Sequence, residues 1–566
     1  MIIGIDLGTT NSLAAVWQEG KAVLIPNALG KFLTPSVVSI DDDGMVLVGE
    51  AARDLQLTRP ASCAANFKRI MGTSQTMMLG KQAWRAEELS SLVLRQLKED
   101  AENFLGEPVT EAVISVPAWF SDVQRKATKI AAGMAGLTIS RLINEPTAAA
   151  LAYGLHNQED EHQFLVFDLG GGTFDVSILE LFDNIMEVRA SAGDNFLGGE
   201  DIVDILIEAF RLRQQFPQQI EWREPTLQRQ LRVEAERVKR VLSLRETAIF
   251  SAEIEGECYQ WEITEAYFQL LLGSFFARIR APLEMAIRDA RLDIAQLDQV
   301  VLVGGTTRMP LIRKLVTQLF GRLPAMHLNP DEVIAQGAAI QAALRMHKRE
   351  LEDVVVTDVC PYTLGVDVSR SLGHTRESGY FAPIIERNRS IPCSRMRDFY
   401  TIRDDQTHVD FKIYQGESRM VEDNIFLAEM SIAVPPKPAG EVKIEVRFTY
   451  DINGLLEVDI HVPSTGNRSS LLIEQHPGTL TEEQIQQSRA KLRALKIHPR
   501  DEQANLALMA RLDHLYQLSL GETREWIGDC SLRFRSLLES QERDRIARFR
   551  EQVDPLLDGI DAERLL

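Results

Sequence analysis

Cysteine is scarce in this chain. Cys63, Cys258, Cys360, Cys393 and Cys530 are scattered, odd in number and form no C-x-x-C pair. That usage argues against a disulfide framework or a zinc ribbon and suits reduced thiols. Long apolar runs are also missing. None reaches the roughly 18 residues of a membrane-spanning helix, so no membrane span is expected. The N-terminus enters a strand pattern at once, with no basic region or export cleavage site, so a cytoplasmic location is expected. Positive charge is in deficit: 62 Lys and Arg against 82 Asp and Glu give a net charge of −20. Such a balance argues against neutralising the phosphates of a nucleic acid, and it favours solubility. The commoner phosphate motifs are absent. No G-x-x-x-x-G-K-[ST] occurs, and no G-x-G-x-x-G opens a helix, so P-loop and dinucleotide folds are unsupported.

What the chain does contain is one motif twice. Ile5-Asp6-Leu7-Gly8-Thr9-Thr10-Asn11-Ser12 returns in altered form as Phe167-Asp168-Leu169-Gly170-Gly171-Gly172-Thr173-Phe174-Asp175. In each copy an apolar strand delivers an Asp, a Gly/Thr turn follows, and a second strand begins. Glycine permits close backbone approach and positive φ. Turn N–H groups and Thr hydroxyls can hold phosphate oxygens, with the Asp beside them for a metal or a water. Either hairpin alone could be an ordinary β-turn. Two of them suggest two halves closing on one nucleotide.

At 566 residues the chain calls for three or four units, at roughly 150 residues each. Through about residue 352, short apolar strands such as Val113–Val116, Phe164–Phe167 and Val300–Val303 alternate with helical stretches such as Ala86–Glu102 and Asp122–Ala135. That is α/β patterning with strands buried on both faces. Residues 348–358 read as a linker. Strand-like segments at Val409–Tyr414, Val442–Phe448 and Leu456–Ile460, with a turn at Asp451-Ile452-Asn453-Gly454, read as an antiparallel β unit. From His476 the period becomes helical. Thr481 and Gln484 make a capping box, and the helical pattern runs to about Phe549.

Taken together, Asp6-Leu7-Gly8-Thr9-Thr10, Asp168-Leu169-Gly170-Gly171-Gly172-Thr173 and Val303-Gly304-Gly305-Thr306-Thr307-Arg308-Met309-Pro310 resemble the three signatures of the 70-kDa heat-shock chaperones, the DnaK-like family. Ile143-Asn144-Glu145-Pro146-Thr147-Ala148-Ala149-Ala150, Val116-Pro117-Ala118-Trp119-Phe120 and Tyr414-Gln415-Gly416-Glu417 extend the resemblance. It runs from residue 2 to about 490. It implies a multidomain fold: an actin-like α/β ATPase domain at 1–352, a linker at 353–358, an antiparallel β-sandwich peptide-binding domain at 359–475 and a short α-helical lid at 476–566. The implied function is that of an ATP-dependent molecular chaperone using ATP/ADP and Mg²⁺, with K⁺ as a further ion.

The resemblance also implies roles. Thr9 and Thr10, with Gly8 and Asn11, hold phosphates in the first hairpin; Gly170, Gly171, Gly172 and Thr173 do so in the second. Asp6 and Asp168 bind Mg²⁺ through water. Lys68 neutralises the transferring phosphoryl, and Glu145 and Asp168 order the attacking water, supported by Asp175. Glu236, Lys239, Arg240 and Ser243 share one helix face at the base pocket. Gly304 and Gly305 admit the nucleotide, and Arg308 and Arg240 stack on adenine. From spacing alone, that helix face is an ordinary solvated one.

Val366, Val368, Phe399, Ile402, Val409 and Phe411 match the family's hydrophobic peptide cleft, although each could be plain β core. Pro117 and Arg125 match an ATP-sensing switch. Arg141 and Asp358 match positions that couple the domains and receive a J-domain co-chaperone. The linker Asp353-Val354-Val355-Val356-Thr357-Asp358 is less apolar than the family's, which implies weaker docking. The compact Arg245–Gln260 segment, short tail and altered linker look most like the HscC branch. They imply extended client polypeptides, a dedicated J-domain partner and poor service by a GrpE-type exchange factor, with no nucleic-acid or membrane partner. An actin-like filament protein and a small-molecule kinase share the ATPase fold. Neither has a use for the β unit, linker and helical tail.

Overall fold

The computed structural model describes the chain except residues 41–43, 155–161, 183–184, 214–219, 223, 326–328, 347–354, 373–374, 453, 474–479, 494, 498–499, 541–542 and 566. Residues 348–354 of the expected linker, Asn453 of the expected turn and His476 lie outside the described residues.

Two six-stranded sheets repeat one plan. In the first, Ile2–Asp6 runs parallel to Glu111–Val116, which runs parallel to Thr138–Asn144; Asn11–Gln18 and Lys21–Ile25 add antiparallel strands on the other side. In the second, His162–Leu169 runs parallel to Gln299–Val303 and antiparallel to Phe174–Phe182, which pairs with Ile185–Asp194. The central strands are nearly all apolar because helices cover both faces. The expected helices form at Ala86–Leu105 and Asp122–Met134. Gly106 at φ 71° ends the first, and Ser121 with Gln124 caps the second.

A core shared by both sheets lies between them. Val113 and Ile143 come from the first sheet, and Phe164, Val166 and Val301 from the second. Helices Glu145–Gly154 and Val333–Arg345 complete it. Here glycine sets the spacing. A Cβ at Gly337 would sit 1.7 Å from the Ala148 carbonyl oxygen, and one at Gly4 would sit 2.1 Å from the Ala339 nitrogen. The helix therefore lies directly against the neighbouring backbone on two sides.

The second sheet does not end at Ile185–Asp194. The strand Val355–Val359 adds to it in parallel, with Val355, Val356 and Thr357 opposite Ile185, Met186 and Glu187. This strand leads into two four-stranded antiparallel sheets. One holds Leu364–Leu372, Thr375–Ile385, His408–Gln415 and Ile425–Ala433. The other holds Cys393–Tyr400, Lys443–Tyr450, Leu456–Val462 and Asn467–Leu472. Their alternating inward residues share one core.

The helical tail comprises Glu482–Arg493, Arg500–Leu518, Gly521–Ser540 and Arg543–Leu565. The capping box at its start forms: Thr481 N–H donates to Gln484 Oε1 at 2.9 Å, and Gln484 N–H returns to Thr481 Oγ1 at 3.3 Å. Leu480 and Leu492 join the core of the first lobe. Lys491 Nζ lies 3.4 Å from the ring centroid of the buried Trp84 and donates to the Ala83 carbonyl at 2.7 Å. Helix Arg500–Leu518 packs on helix Glu50–Thr58.

Gly337→Val should test the helix contact. With backbone rather than a flexible side chain in the way, it is expected to cost about 3 kcal/mol or more, read as a lowered denaturant midpoint. An unchanged midpoint would mean that the helix can shift freely.

Candidate functional site

The two Gly/Thr hairpins face each other. A Cβ on Gly171 would lie 1.9 Å from Thr10 Oγ1, and one on Gly172 would lie 2.8 Å from Thr9 Cγ2. Each hairpin is pinned from behind. In the first, Gly8 N–H donates to Ser12 Oγ at 3.1 Å, and Ser36 Oγ donates to the Gly8 carbonyl at 2.8 Å. Asn11 opens the second strand of that hairpin. In the second, the Gly199 and Glu200 N–H groups donate to the Gly170 and Gly171 carbonyls at 3.0 and 2.8 Å, and Thr306 Oγ1 donates to Gly170 at 2.8 Å. The first turn of helix Gly199–Arg213 thus grips the second hairpin.

Between the hairpins lies a buried charge cluster. Lys68 Nζ reaches Glu145 Oε1 at 2.8 Å, with both side chains at most 7% exposed. Asp6, Asp168 and Asp175 surround this pair, each less than a tenth exposed. Burial first, and then the charge of Glu145, push Asp6 up to about 7 and Asp175 up to about 8, and hold Asp168 well above the ordinary carboxylate range. Asp6 accepts from Ser115 Oγ at 2.7 Å, and Asp175 Oδ1 accepts the Trp119 N–H at 3.1 Å. Asp168 Oδ2 and Asp175 Oδ2 are buried and have no hydrogen-bond partner. Hard oxygen donors under mutual repulsion fit a divalent cation such as Mg²⁺. Among the described residues, no three His, Cys, Asp or Glu side chains form a direct ligand cluster. Contact through water, as Mg²⁺ prefers, fits that spacing.

Of the expected base-pocket residues, Lys239 and Gly304 reach the second hairpin and the turn that grips it. Helix Pro225–Val241 carries Glu236, Lys239 and Arg240; Glu236 pairs with both cations. Lys239 Nζ donates to the Gly199 carbonyl at 3.3 Å, and a Cβ on Gly199 would lie 2.6 Å from Thr306 Oγ1. Ser243 lies beyond the end of this helix, in the following turn, where its Oγ donates to the Lys239 carbonyl at 3.0 Å. The single helix face expected at these four positions therefore holds for three; Leu242 closes the helix before Ser243 is reached. Gly304, at φ 83°, would place a Cβ 2.4 Å from the Leu169 carbonyl oxygen. Gly305 starts the short turn that follows, and Arg308 is held by Asp331 at 2.6 Å and by Asn329 at 2.7 Å.

The positions expected to couple the domains are also buried. Arg125 donates to the Ala118 and Phe120 carbonyls and to Asn144 Oδ1 at 3.1, 3.1 and 2.6 Å, which ties the loop after Pro117 to the residue before Glu145. Arg141 donates to Gln341 at 3.0 Å, and Asp358 accepts from Thr147 Oγ1 at 3.2 Å. In the β unit, Val366 and Phe411 are fully buried, whereas Val368, Phe399 and Val409 are half-buried against the same core. Phe399 meets Phe411 edge to face at 5.6 Å. Ile402 is half-buried near the start of the following loop, with its N–H donating to Gln406.

Several residues in and around the site carried no sequence signal of their own. Arg69 donates to Asp201 at 3.1 Å and bridges the lobes. Trp119 links the site to the β unit: its carbonyl accepts from Tyr362 Oη at 2.8 Å, and the two rings lie 4.5 Å apart. Tyr450 Oη donates to Asp122 Oδ1 at 2.9 Å, and Arg387 holds Asp289 at 2.6 Å. Trp119 lies two residues after Pro117 in the Val116–Phe120 segment, and nothing in that segment marks it as a link to the β unit.

Comparison with known proteins fits this geometry. The Hsp70 protein family model matches residues 2–79 and 73–519. This chain belongs to the Hsp70 family. The chaperone protein DnaK of Thermotoga neapolitana is 41% identical over 488 residues, covering 83% of this chain and 80% of that protein. The DnaK of Thermotoga petrophila matches to the same extent, 41% over 488 residues. As an Hsp70, the protein is an ATP-dependent molecular chaperone: it hydrolyses ATP and binds polypeptide.

In this Hsp70 the raised carboxyls carry a sign that can be tested without nucleotide. Each binds its proton more tightly folded than unfolded, so its contribution to stability is largest below about pH 4 and is lost as pH rises through 7 to 8. Asp175→Asn keeps an acceptor for the Trp119 N–H and removes one charge. At pH 8, free of nucleotide and Mg²⁺, it should stabilise the fold by about 1–2 kcal/mol or more, and the gain should shrink as pH falls and vanish only below about pH 4. A gain of equal size at both ends of that range would contradict the charge argument.

Proposed function

We propose that residues 1–352 form an actin-like ATPase domain whose two hairpins clasp the phosphates of ATP. The supporting observation is the Lys68–Glu145 pair set among Asp6, Asp168 and Asp175 where the hairpins meet. Gly8, Thr9, Thr10, Asn11 and Gly170–Thr173 bind the phosphates. Lys68 Nζ stabilises charge on the departing phosphoryl, and Glu145 and Asp168 orient the attacking water. Thr173 supplies a hydroxyl beside that water. Mg²⁺, held through water by Asp6 and Asp168, would neutralise charge on the β- and γ-phosphates. Glu236, Lys239, Arg240, Ser243 and Arg308 bind ribose and adenine, with Gly304 and Gly305 giving the backbone room. Lys68→Ala should lower single-turnover hydrolysis by about 100-fold or more while ATP still binds; a rate within about threefold of wild type would refute the assignment.

Residues 359–475 are read as the substrate-binding domain and 476–566 as its lid. Val366, Val368, Phe399, Ile402, Val409 and Phe411 form the cleft for an extended apolar client, whose backbone adds hydrogen bonds as a strand would. Residues 353–358 link the domains. The paired Val355–Thr357, the Trp119–Tyr362 contact, Arg125, and Arg141 with Asp358 support coupling between hydrolysis and peptide affinity. Such coupling runs both ways and is typically about 1–3 kcal/mol. A J-domain co-chaperone acting at Arg141 and Asp358, a cytoplasmic location and a place in the HscC branch belong to the same reading. So does weak service by a GrpE-type exchange factor. The compact hairpin Thr247–Ile254/Glu257–Thr264, closed by Glu255 and Gly256 at φ 55° and 82°, is the altered surface such a factor would meet.

The docked interface predicts a pH effect. Asp122 lies buried between Tyr450 and Gln415, one oxygen has no partner, and burial pushes it up to about 6. Docking therefore takes up a proton, so it should tighten as pH falls from 7 to 5 and loosen as pH rises through 6. Förster transfer between labels on the two domains in ATP would read this. Asp122→Asn should flatten the profile, and Tyr450→Phe should weaken docking by about 1–3 kcal/mol. A pH-independent wild-type signal would exclude the effect.

A further inference from the structure

The second lobe carries a cleft of about 300 Å³ between helices Gly273–Ala290 and Pro310–Phe320, away from the hairpins and the β unit. Each helix turns one i, i+3/i+4, i+7 face into it: Gly273, Phe276, Ala277 and Arg280 from the first, Leu311, Lys314, Leu315 and Gln318 from the second. The floor is therefore apolar and the rim cationic. Arg280 and Lys314 are exposed and have no hydrogen-bond or ion-pair partner among the described residues. Arg278, two residues earlier on the same helix, is by contrast fully engaged by Asp194 at 2.7 Å and by the Phe196 carbonyl at 2.9 Å. In a chain of net charge −20, two unpaired cations around an apolar slot are a local reversal of sign.

We propose that this cleft docks an acidic, apolar polypeptide segment: one large apolar side chain seated between the helices, with carboxylates on either side meeting Arg280 and Lys314. The volume matches the lower end of ligand pockets and holds one such side chain with its flanks. Charge-assisted hydrogen bonds from the two cations would fix its direction. A nucleic acid is a poorer occupant, because binding through phosphates needs a longer row of cations and the overall charge repels it. The helix that forms one wall also carries Arg278, paired with the strand end beside the second hairpin, and Asp289, which holds Arg387 and Asn388 of the β unit. An occupant would thus touch an element that spans both.

The test uses the full-length protein and a labelled helical peptide bearing one Phe between Asp and Glu residues, with a benzophenone cross-linker. The client cleft is first saturated with an excess of an unlabelled basic apolar peptide. Expected results are cross-links within 269–280 and 311–318, and at least a tenfold loss of affinity in the Arg280→Glu/Lys314→Glu variant. The charge-swapped peptide, with Lys for each acid, should fail to bind. Both substituted residues are exposed, so unchanged thermal unfolding and ATP turnover in the variant would verify its fold. Cross-links confined to the β unit, undiminished affinity in the variant, or equal binding of the charge-swapped peptide would each overturn the proposal.

Discussion

Four buried carboxyl groups share a single buried ammonium where the two hairpins meet. Lys68 pairs with Glu145 while Asp6, Asp168 and Asp175 crowd the same water-poor space. Burying several carboxylates around one cation is unfavourable, and the raised proton affinities of the three aspartates record that cost. The arrangement persists because the sheets that carry these residues are fixed by large apolar cores elsewhere. A divalent cation beside these carboxylates would offset the imbalance of charge.

The same cluster is wired outward by short contacts. Asp175 is held by the Trp119 backbone, Trp119 meets Tyr362, and Tyr362 opens the β unit. Arg125 ties the Pro117–Phe120 loop to Asn144, the neighbour of Glu145. The strand Val355–Val359, in the expected linker, joins the second sheet through ordinary backbone pairing and is followed in it by Ser390–Ile391. Its three consecutive β-branched residues, Val355, Val356 and Thr357, suit a strand, so a linker with less apolar surface than the family's is nonetheless docked here. Side-chain burial adds to that docking, while the backbone ladder is indifferent to whether Val or Leu occupies it.

The residues expected to form a peptide cleft illustrate a different limit. Val366 and Phe411 are buried as completely as any core residue, whereas Val368, Phe399 and Val409 retain exposed surface. Alternation along a strand predicts which residues share a face, but not which part of that face a ligand can reach. The plain-core reading weighed for these positions suits the first two better than the last three.

Much of the architecture was legible in the sequence because it depends on local rules. The duplicated Asp-Gly-Thr turns, the nearly all-apolar strands, the capping box at Thr481 and the two helices at Ala86 and Asp122 all form as their patterns require. The charged cluster was legible only through resemblance, since a lone Lys68 or Glu145 has no distinguishing spacing. Other features were decided by tertiary packing alone. Lys491 finds the ring of Trp84, Tyr450 finds Asp122, and Arg387 finds Asp289. Each pair joins residues far apart in the chain, and its partners are ordinary surface types until folding buries them together. The sequence by itself determined the elements and the two hairpins, because turn geometry and apolar periodicity act over a few residues. Which polar groups meet, and which are left without a partner, was decided only when the lobes, the β unit and the tail closed on one another, because burial and charge depend on the whole assembly.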